Sequence, residues 1–120
     1  MKIYFAHSTQ FDYKKEFYEP LKNSSLARAH ELIFPHEDDV FMDTKEIIAT
    51  SDLVVAEVSY PSTGLGIELG WADSIGIPVL AVYKSGAAVS RSLTVITHDV
   101  ISYDSGDKLI ELVTQNIETL

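Results

Sequence analysis

The stretch from Asp52 to Ala72, DLVVAEVSYPSTGLGIELGWA, constrains the fold of this chain more than any other. It begins with an apolar run, which is typical of a strand buried on both faces. A turn rich in proline, serine and glycine follows, and the chain then enters a helix that carries Glu68 in its first turns. This order is typical of an open α/β sheet, in which ligands bind at the carboxyl ends of the strands.

Strands and helices alternate along the rest of the sequence. The predicted strands are Lys2–Ala6, Glu31–Phe34, Leu53–Val58, Pro78–Val82 and a short one within Val95–Ile101. The predicted helices are residues 11–25 with a kink near Glu19, residues 44–50 after an Asp43 capping box, residues 64–75 ending at Gly76, and residues 106–120.

This alternation predicts one domain that spans all 120 residues. The expected fold is a flavodoxin or Rossmann-like three-layer α/β sandwich with a five-stranded parallel sheet in the order 2-1-3-4-5. The strand order reverses between strands 1 and 3. We therefore expect the loops His7–Gln10 and Tyr60–Gly66 to face each other across the ligand crevice.

Composition removes several classes of function. The chain has no cysteine, which excludes disulfides and thiolate chemistry. Its net charge of −9 disfavours nonspecific binding to nucleic acid, which requires a basic face. No run of about 18 apolar residues predicts a membrane span, and the first residues enter a strand without a signal peptide. We expect a cytoplasmic protein whose partner is a small molecule.

Glu68 is the first candidate for chemistry. One interpretation is a surface glutamate that the helix dipole stabilises near the helix start. The other is a carboxylate nucleophile in the crevice where the strand order reverses. A carboxylate suits attack at the anomeric carbon of a sugar, where an oxocarbenium-like centre develops.

The turn before this helix is a candidate anion site. Ser62, Gly64 and Gly66 form either a strand-to-helix turn that needs glycine or a cradle of free backbone N–H groups. The turn lacks the lysine of a Walker A loop and the third glycine of a dinucleotide fingerprint. Across the crevice, Ser8 is expected to meet a ligand. His7 is expected either to bind substrate or to donate to the backbone.

Three further groups have competing structural explanations. Tyr4 is as consistent with core packing as with a site. Glu57 is expected to pair with backbone donors at the edge of the sheet. The loop His36–Asp39 is dense in polar groups, and a solvated acidic loop is its default interpretation. Because no other convergent ligands at known spacing accompany this loop, no metal and no cofactor is predicted.

The block from Ala56 to Ala72, with IYFAHS in the first strand, resembles the nucleoside 2-deoxyribosyltransferase superfamily and, within it, the 2′-deoxynucleoside 5′-phosphate N-hydrolases. The resemblance implies that Glu68 attacks C1′ of the deoxyribose to form a glycosyl-enzyme intermediate, which water or a second base resolves. It also implies that Tyr4 neighbours this carboxylate.

The same resemblance implies a site for the 5′-phosphate of the nucleotide. Ser8, Ser62 and the backbone of Gly64 and Gly66 would form it. A neighbouring subunit would add a serine, with Ser92 the first candidate and Ser90 the alternative. A homodimer is therefore implied.

One departure from the superfamily concerns the acid that handles the leaving base. The superfamily has an aspartate eight positions before the aspartate that opens strand 3, and counting back from Asp52 gives Thr44. Asp43 is one position away, about 100° around a helix. Either a bulge lets Asp43 serve, or the acid is missing. His7 and the segment Phe34–Asp38 also differ from the hydrolase branch.

Three functions remain open from the sequence. The first is hydrolysis of the N-glycosidic bond of deoxynucleoside 5′-monophosphates. The second is exchange of one base for another by the same chemistry, as in a deoxyribosyltransferase. The third is nucleotide binding without turnover, which the displaced Asp43 motivates.

Overall fold

The computed structural model describes residues 1–38 and 40–120. Within these residues the chain forms one parallel sheet of five strands. The strands are β1 (Lys2–His7), β2 (Glu31–Ile33), β3 (Leu53–Glu57), β4 (Val79–Lys84) and β5 (Val100–Tyr103). Their order is β2-β1-β3-β4-β5, which confirms the predicted order.

Helices cover both faces of the sheet. A π-helical segment, Lys14–Tyr18, leads into α1 (Glu19–Lys22), followed by α2 (Leu26–Ala29), α3 (Thr44–Ala49), α4 (Thr63–Ser74), α5 (Leu93–Ile96) and α6 (Gly106–Glu118). No helix among the described residues is long and apolar enough to cross a bilayer.

Alternate residues of the strands enter two separate cores. One face, with Phe5 and Val55, packs against the first helices and α6. The other face, with Tyr4 and Val54, packs against α3 and α4. Since both faces are covered, the central strands are apolar throughout and read as continuous apolar runs in the sequence.

A row of small side chains crosses the sheet beneath α4. Ala6 of β1 pairs with Ala56 of β3, which pairs with Ala81 of β4, and all three are fully buried. Alanine in three adjacent strands lets α4 pack close to the sheet. This brings the first turns of α4 over β1, where Tyr4 lies.

The first helical region is broken at the position that Pro20 predicts. Proline has no N–H to donate and crowds the preceding turn. The wider π-helical spacing ends at Tyr18, and α1 begins at Glu19. The prediction of one helix to residue 25 is wrong, because a polar turn at residues 23–25 separates α1 from α2.

The end of the chain differs from the prediction in one strand. Val95 and Ile96 belong to α5, and β5 begins only at Val100. The Thr97 hydroxyl donates to the Val79 carbonyl at 2.6 Å and accepts from the Asp99 N–H at 3.0 Å. These bonds hold the turn between α5 and β5, so the strand starts later than the apolar pattern suggests.

Two other boundaries bear on the site. His7, expected in a loop, is the last residue of β1. Gly76 has a φ of +79° just after α4, as the predicted helix-ending glycine requires.

Candidate active site

A tyrosine and a glutamate from distant parts of the chain meet on the face of the sheet that α4 covers. The Tyr4 hydroxyl donates a hydrogen bond to Oε2 of Glu68. Tyr4 is fully buried in β1, whereas Glu68 on α4 is half-buried. The bond occupies one carboxylate oxygen of Glu68 and fixes the orientation of the other.

The surroundings of Glu68 act on its pKa in opposite directions. Burial raises the pKa, and hydrogen bonds from Tyr4 and the Thr44 side chain, with the charge of His36, lower it. Burial, followed by the charge of Glu68, raises the pKa of Tyr4 well above its usual range. Tyr4 therefore stays protonated near neutral pH and remains a donor to the carboxylate.

Thr44, rather than Asp43, faces this pair. Thr44 is half-buried at the start of α3, and its side chain affects the pKa of both Tyr4 and Glu68. Asp43 occupies the predicted N-cap position but is exposed, and its side chain makes no capping hydrogen bond. The count back from Asp52 therefore identified the position that faces the carboxylate, and this position carries a hydroxyl.

The start of α4 presents backbone donors beside this pair. Ser62 is the N-cap residue, and its hydroxyl accepts from the Leu65 N–H at 3.3 Å. The Gly66 N–H donates to the Ser62 carbonyl at 3.1 Å. The first turn of a helix has N–H groups without intrahelical acceptors, and Gly64 is the second residue of α4. The sequence grouped Gly64 with Gly66, but only Gly64 lies where an N–H has no acceptor within the helix.

Neither glycine is required by the turn. Positive φ angles occur at other glycines, and a Cβ placed on Gly64 or Gly66 would meet no atom within 4 Å. The interpretation of a turn that needs glycine is therefore wrong at both positions. The missing side chains leave open space at the start of α4, as close approach by a ligand would require.

A cavity of about 500 Å³ adjoins the start of α4. Ser62 and Gly66 line one side of it, and Ser90 and Ser92 line another. Apolar side chains complete the wall, including Leu69 of α4. The structure thus brings both candidate serines to the same cavity as Ser62 and Gly66 within a single chain, whereas Gly64 and Glu68 are not part of its lining.

His7 lies on the opposite face of β1 and is buried. Its Nδ1 donates to the Ser8 carbonyl at 2.8 Å, so its Nε2 accepts from the Tyr18 hydroxyl. Burial lowers the pKa of His7 to about 4, and the ring is neutral near pH 7. Of the two predicted roles, donation to the backbone is the one that the structure contains.

Ser8 is held from two sides. His7 fixes its carbonyl, and its own hydroxyl accepts from the Gln10 N–H at 3.1 Å. Ser8 is only 1% exposed, so its hydrogen bond to Gln10 lies inside the loop after β1 and stabilises that loop. Tyr18, which the sequence reasoning missed, links this loop to the next segment by accepting from the His36 N–H at 3.0 Å.

The polar loop after β2 is exposed at His36, Glu37 and Asp38, and Asp39 lies outside the described residues. Among residues 1–38 and 40–120, no group of three or more histidine, aspartate or glutamate side chains is arranged to hold a metal ion. Glu57 is fully buried and accepts from the Ser59 N–H at 2.6 Å and from the Tyr103 hydroxyl. Its predicted structural pairing is confirmed.

Proteins of known sequence resemble this chain over part of its length, although no family model matches. A protein of Syntrophotalea carbinolica that carries the name 2′-deoxynucleoside 5′-phosphate N-hydrolase 1 is 43% identical over 65 residues, which are 54% of this chain and 46% of the relative. A protein of the same name from Methanococcoides burtonii is 33% identical over 89 residues, which are 62% of this chain and 73% of the relative. The chain spans about half the length of the Syntrophotalea carbinolica protein and of a relative with the same name from Thermofilum pendens.

Solved structures share the fold over nearly the whole chain. The CMP N-glycosidase BcmB of Clostridium botulinum has a TM-score of 0.65 at 18% identity, covering 95% of this chain and 99% of its own. A 2-deoxyribosyltransferase of Bacillus psychrosaccharolyticus has a TM-score of 0.62 at 20% identity, covering 91% and 90%.

The parallel sheet in this order, with α4 packed on the face that carries Tyr4, is the three-layer α/β fold that these solved structures share. By its similarity to the relatives above, the chain belongs to the family of 2′-deoxynucleoside 5′-phosphate N-hydrolases.

Proposed function

We propose that this chain hydrolyses the N-glycosidic bond of 2′-deoxynucleoside 5′-monophosphates, with Glu68 as the nucleophile. The observation that carries the proposal is the hydrogen bond from buried Tyr4 to Glu68, beside the open start of α4. Membership of the N-hydrolase family supports the reaction class.

The first step forms a bond between Glu68 and the sugar. The carboxylate oxygen that Tyr4 does not occupy attacks C1′ of the deoxyribose. The bond from C1′ to the base nitrogen breaks, and its electron pair leaves with the base, which takes up a proton. Tyr4 and Thr44 assist because their hydrogen bonds favour the ionised form of Glu68, which is the nucleophilic form.

The second step releases the sugar. Water attacks C1′ of the glycosyl ester, loses a proton, and displaces the Glu68 carboxylate. The products are the free base and 2-deoxyribose 5-phosphate, with the configuration at C1′ retained after two displacements. A second base in place of water would instead give a new nucleoside, which is the transferase alternative.

The start of α4 is proposed to hold the 5′-phosphate. Its free N–H groups and the positive end of the helix dipole favour an anion, and Ser62 adds a hydroxyl. Ser92, with Ser90 as the alternative, is proposed to complete this end of the site; the resemblance implies that a neighbouring subunit supplies this serine, whereas both serines of the same chain already line the cavity. Ser62→Ala should raise KM more for a monophosphate than for the nucleoside, and equal effects would count against a phosphate site here.

The proton for the leaving base is proposed to pass through Asp43, which is exposed one residue before Thr44 and would act on the base rather than on Glu68. His7 is not a candidate, because it lies on the opposite face of β1, where its two ring nitrogens bind the Ser8 carbonyl and the Tyr18 hydroxyl. His36 is the alternative donor. Asp43→Asn and His36→Gln distinguish the two, because only loss of the true donor should lower kcat for base release.

The chain is also proposed to form a homodimer, as the resemblance implies. Light scattering coupled to size-exclusion chromatography tests this directly. A monomer at micromolar concentration would refute the dimer without affecting the assignment of Glu68.

Chromatographic assay of base release tests the function. The substrates are deoxy- and ribonucleosides and their 5′-monophosphates, with wild type beside Glu68→Gln and, as a control, Glu46→Gln on the exposed side of α3. Release from deoxynucleoside monophosphates, lost only in Glu68→Gln, is the expected result. A new nucleoside when a free base is added would favour the transferase. Tight binding without any product would favour a binding protein.

A further inference from the structure

Lys84, the last residue of β4, makes an unusual set of contacts for a surface lysine. Its amino group donates to Glu16 at 2.9 Å and to the Tyr60 hydroxyl at 3.2 Å. The same group lies 4.9 Å from the centre of the Phe11 ring and 5.1 Å from the centre of the Tyr60 ring. The cation thus engages one carboxylate, one hydroxyl and two aromatic faces.

These partners come from two different segments of the chain. Phe11 and Glu16 follow β1, whereas Tyr60 lies in the loop that follows β3. The Phe11 and Tyr60 rings stack with their centres 5.0 Å apart and their planes 19° apart. Lys84 therefore joins the segment that carries Ser8 to the loop that carries Ser62.

The backbone of Lys84 is fixed as firmly as its side chain. Its N–H donates to the Ser59 hydroxyl at 2.8 Å, and that hydroxyl donates to Glu57 at 3.1 Å. Glu57 is fully buried and also accepts from Tyr103. The backbone of Lys84 is thus held by a hydrogen-bonded network within the sheet, and its side chain reaches from this fixed position to the segments on both sides.

We propose that Lys84 is a positioning residue that sets the separation of the two loops bordering the crevice between β1 and β3. The inference rests on the proposed function, because that crevice is where the 5′-phosphate would bind. By holding Phe11 against Tyr60, Lys84 ties the segment after β1 to the loop after β3 from the sheet face of Leu80 and Val82, which is opposite the face that α4 covers. Glu16 already balances the ammonium charge, so this role needs no direct contact with the ligand.

Lys84→Met tests the proposal, and Lys22→Met is its matched control. Lys22 also forms an ion pair, with Glu37, and lies 5.8 Å from the centre of the Phe34 ring, and neither of these partners belongs to the two loops. Lys84→Arg should restore the contacts, because arginine keeps the charge and stacks on aromatic faces. Glu16→Gln removes the ion pair from an exposed side chain, in case Lys84→Met does not fold.

Amide hydrogen exchange gives a readout that does not depend on activity. The N–H of Gln10, in the loop after β1, and the N–H of Gly66, in the first turn of α4 directly after the loop of Tyr60, are protected by hydrogen bonds to Ser8 and Ser62. Exchange at both should accelerate about tenfold in Lys84→Met and by a smaller factor in Glu16→Gln, with no change in Lys22→Met. Unchanged exchange in both loops, or equal acceleration in the control, would overturn the proposal.

Kinetics supply the second readout. Lys84→Met should raise KM for a deoxynucleoside monophosphate about tenfold with kcat nearly unchanged, and Lys84→Arg should restore KM. A fall in kcat with KM unchanged would refute a positioning role at the phosphate end. If the wild type releases no base from any nucleotide, the proposed function fails, while hydrogen exchange still decides the role of Lys84.

Discussion

Replacing Gly66 with alanine should stabilise the protein and weaken its binding of a phosphorylated ligand. Gly66 is the fourth residue of the twelve-residue helix α4, it has no positive φ, and an added Cβ would meet no atom within 4 Å. The new methyl group would instead enter the cavity beside Ser62. The same substitution thus acts on the helix and on the site in opposite senses.

The size of the stability gain follows from helix propensity. Alanine is more favourable than glycine in a helix by about 0.8–1 kcal/mol, and nothing around Gly66 opposes the change. For a chain of this length, that corresponds to a rise of about 3–6 °C in Tm. Crowding of the phosphate should raise KM for a deoxynucleoside monophosphate about tenfold, equivalent to about 1.4 kcal/mol.

Gly70→Ala is the control for the helix effect. Gly70 lies one turn further along α4, is equally open, and does not line the cavity. Calorimetry should give both variants a higher Tm, and base-release kinetics should give only Gly66→Ala a higher KM. A higher Tm with KM unchanged in Gly66→Ala would show that no ligand approaches this helix start. A lower Tm would refute the packing argument itself.

Three further predictions concern buried polar groups. Tyr4→Phe should lower kcat/KM about 10- to 100-fold, because a hydrogen bond to a charged group is lost. It should also move the acid limb of the pH–rate profile to higher pH, since the hydrogen bond from Tyr4 lowers the pKa of Glu68. Glu68→Gln should raise the free energy of unfolding in urea at pH 7, because burial raises the folded pKa of Glu68 and so penalises its ionised form. The gain should shrink as the pH falls toward the pKa of an ordinary carboxyl group, because Glu68 is then protonated in the folded protein as well. No gain at pH 7 would contradict this reasoning. His7 should contribute a loss of about 3 kcal/mol in the free energy of unfolding between pH 6.5 and pH 4, because the unfolded chain protonates His7 first. This contribution is measured as the difference between wild type and His7→Gln over that range.

The sheet could be predicted because its signal is local and repeated. Each central strand is buried on both faces, so runs such as Leu53–Val58 stand out as uninterrupted apolar segments. Short parallel strands joined by helices then leave few topologies. The late start of β5 could not be predicted, because side-chain bonds from Thr97 decide it.

Site residues could be predicted where their spacing along the sequence fixes their position, and could not be predicted where the packing of distant segments brings them together. Glu68 follows from its place after the glycine-rich turn, and the count from Asp52 located Thr44. The partnership of Lys84 with Phe11 and Tyr60 leaves no pattern in the sequence, since the three residues meet only after three strands have assembled. Tyr18 escaped notice for the same reason, because it reaches His7 from a helix on the far face of the sheet.

The bond between Tyr4 and Glu68 joins residues 64 positions apart. A contact of such high sequence separation closes late in folding, after its loop entropy has been offset by pairing of β1 with β3 and docking of α4. Chains that have formed only local helices therefore lack the hydrogen bond that orients the Glu68 carboxylate. In refolding, the proposed base release should therefore appear only once β1 has paired with β3 and α4 has docked.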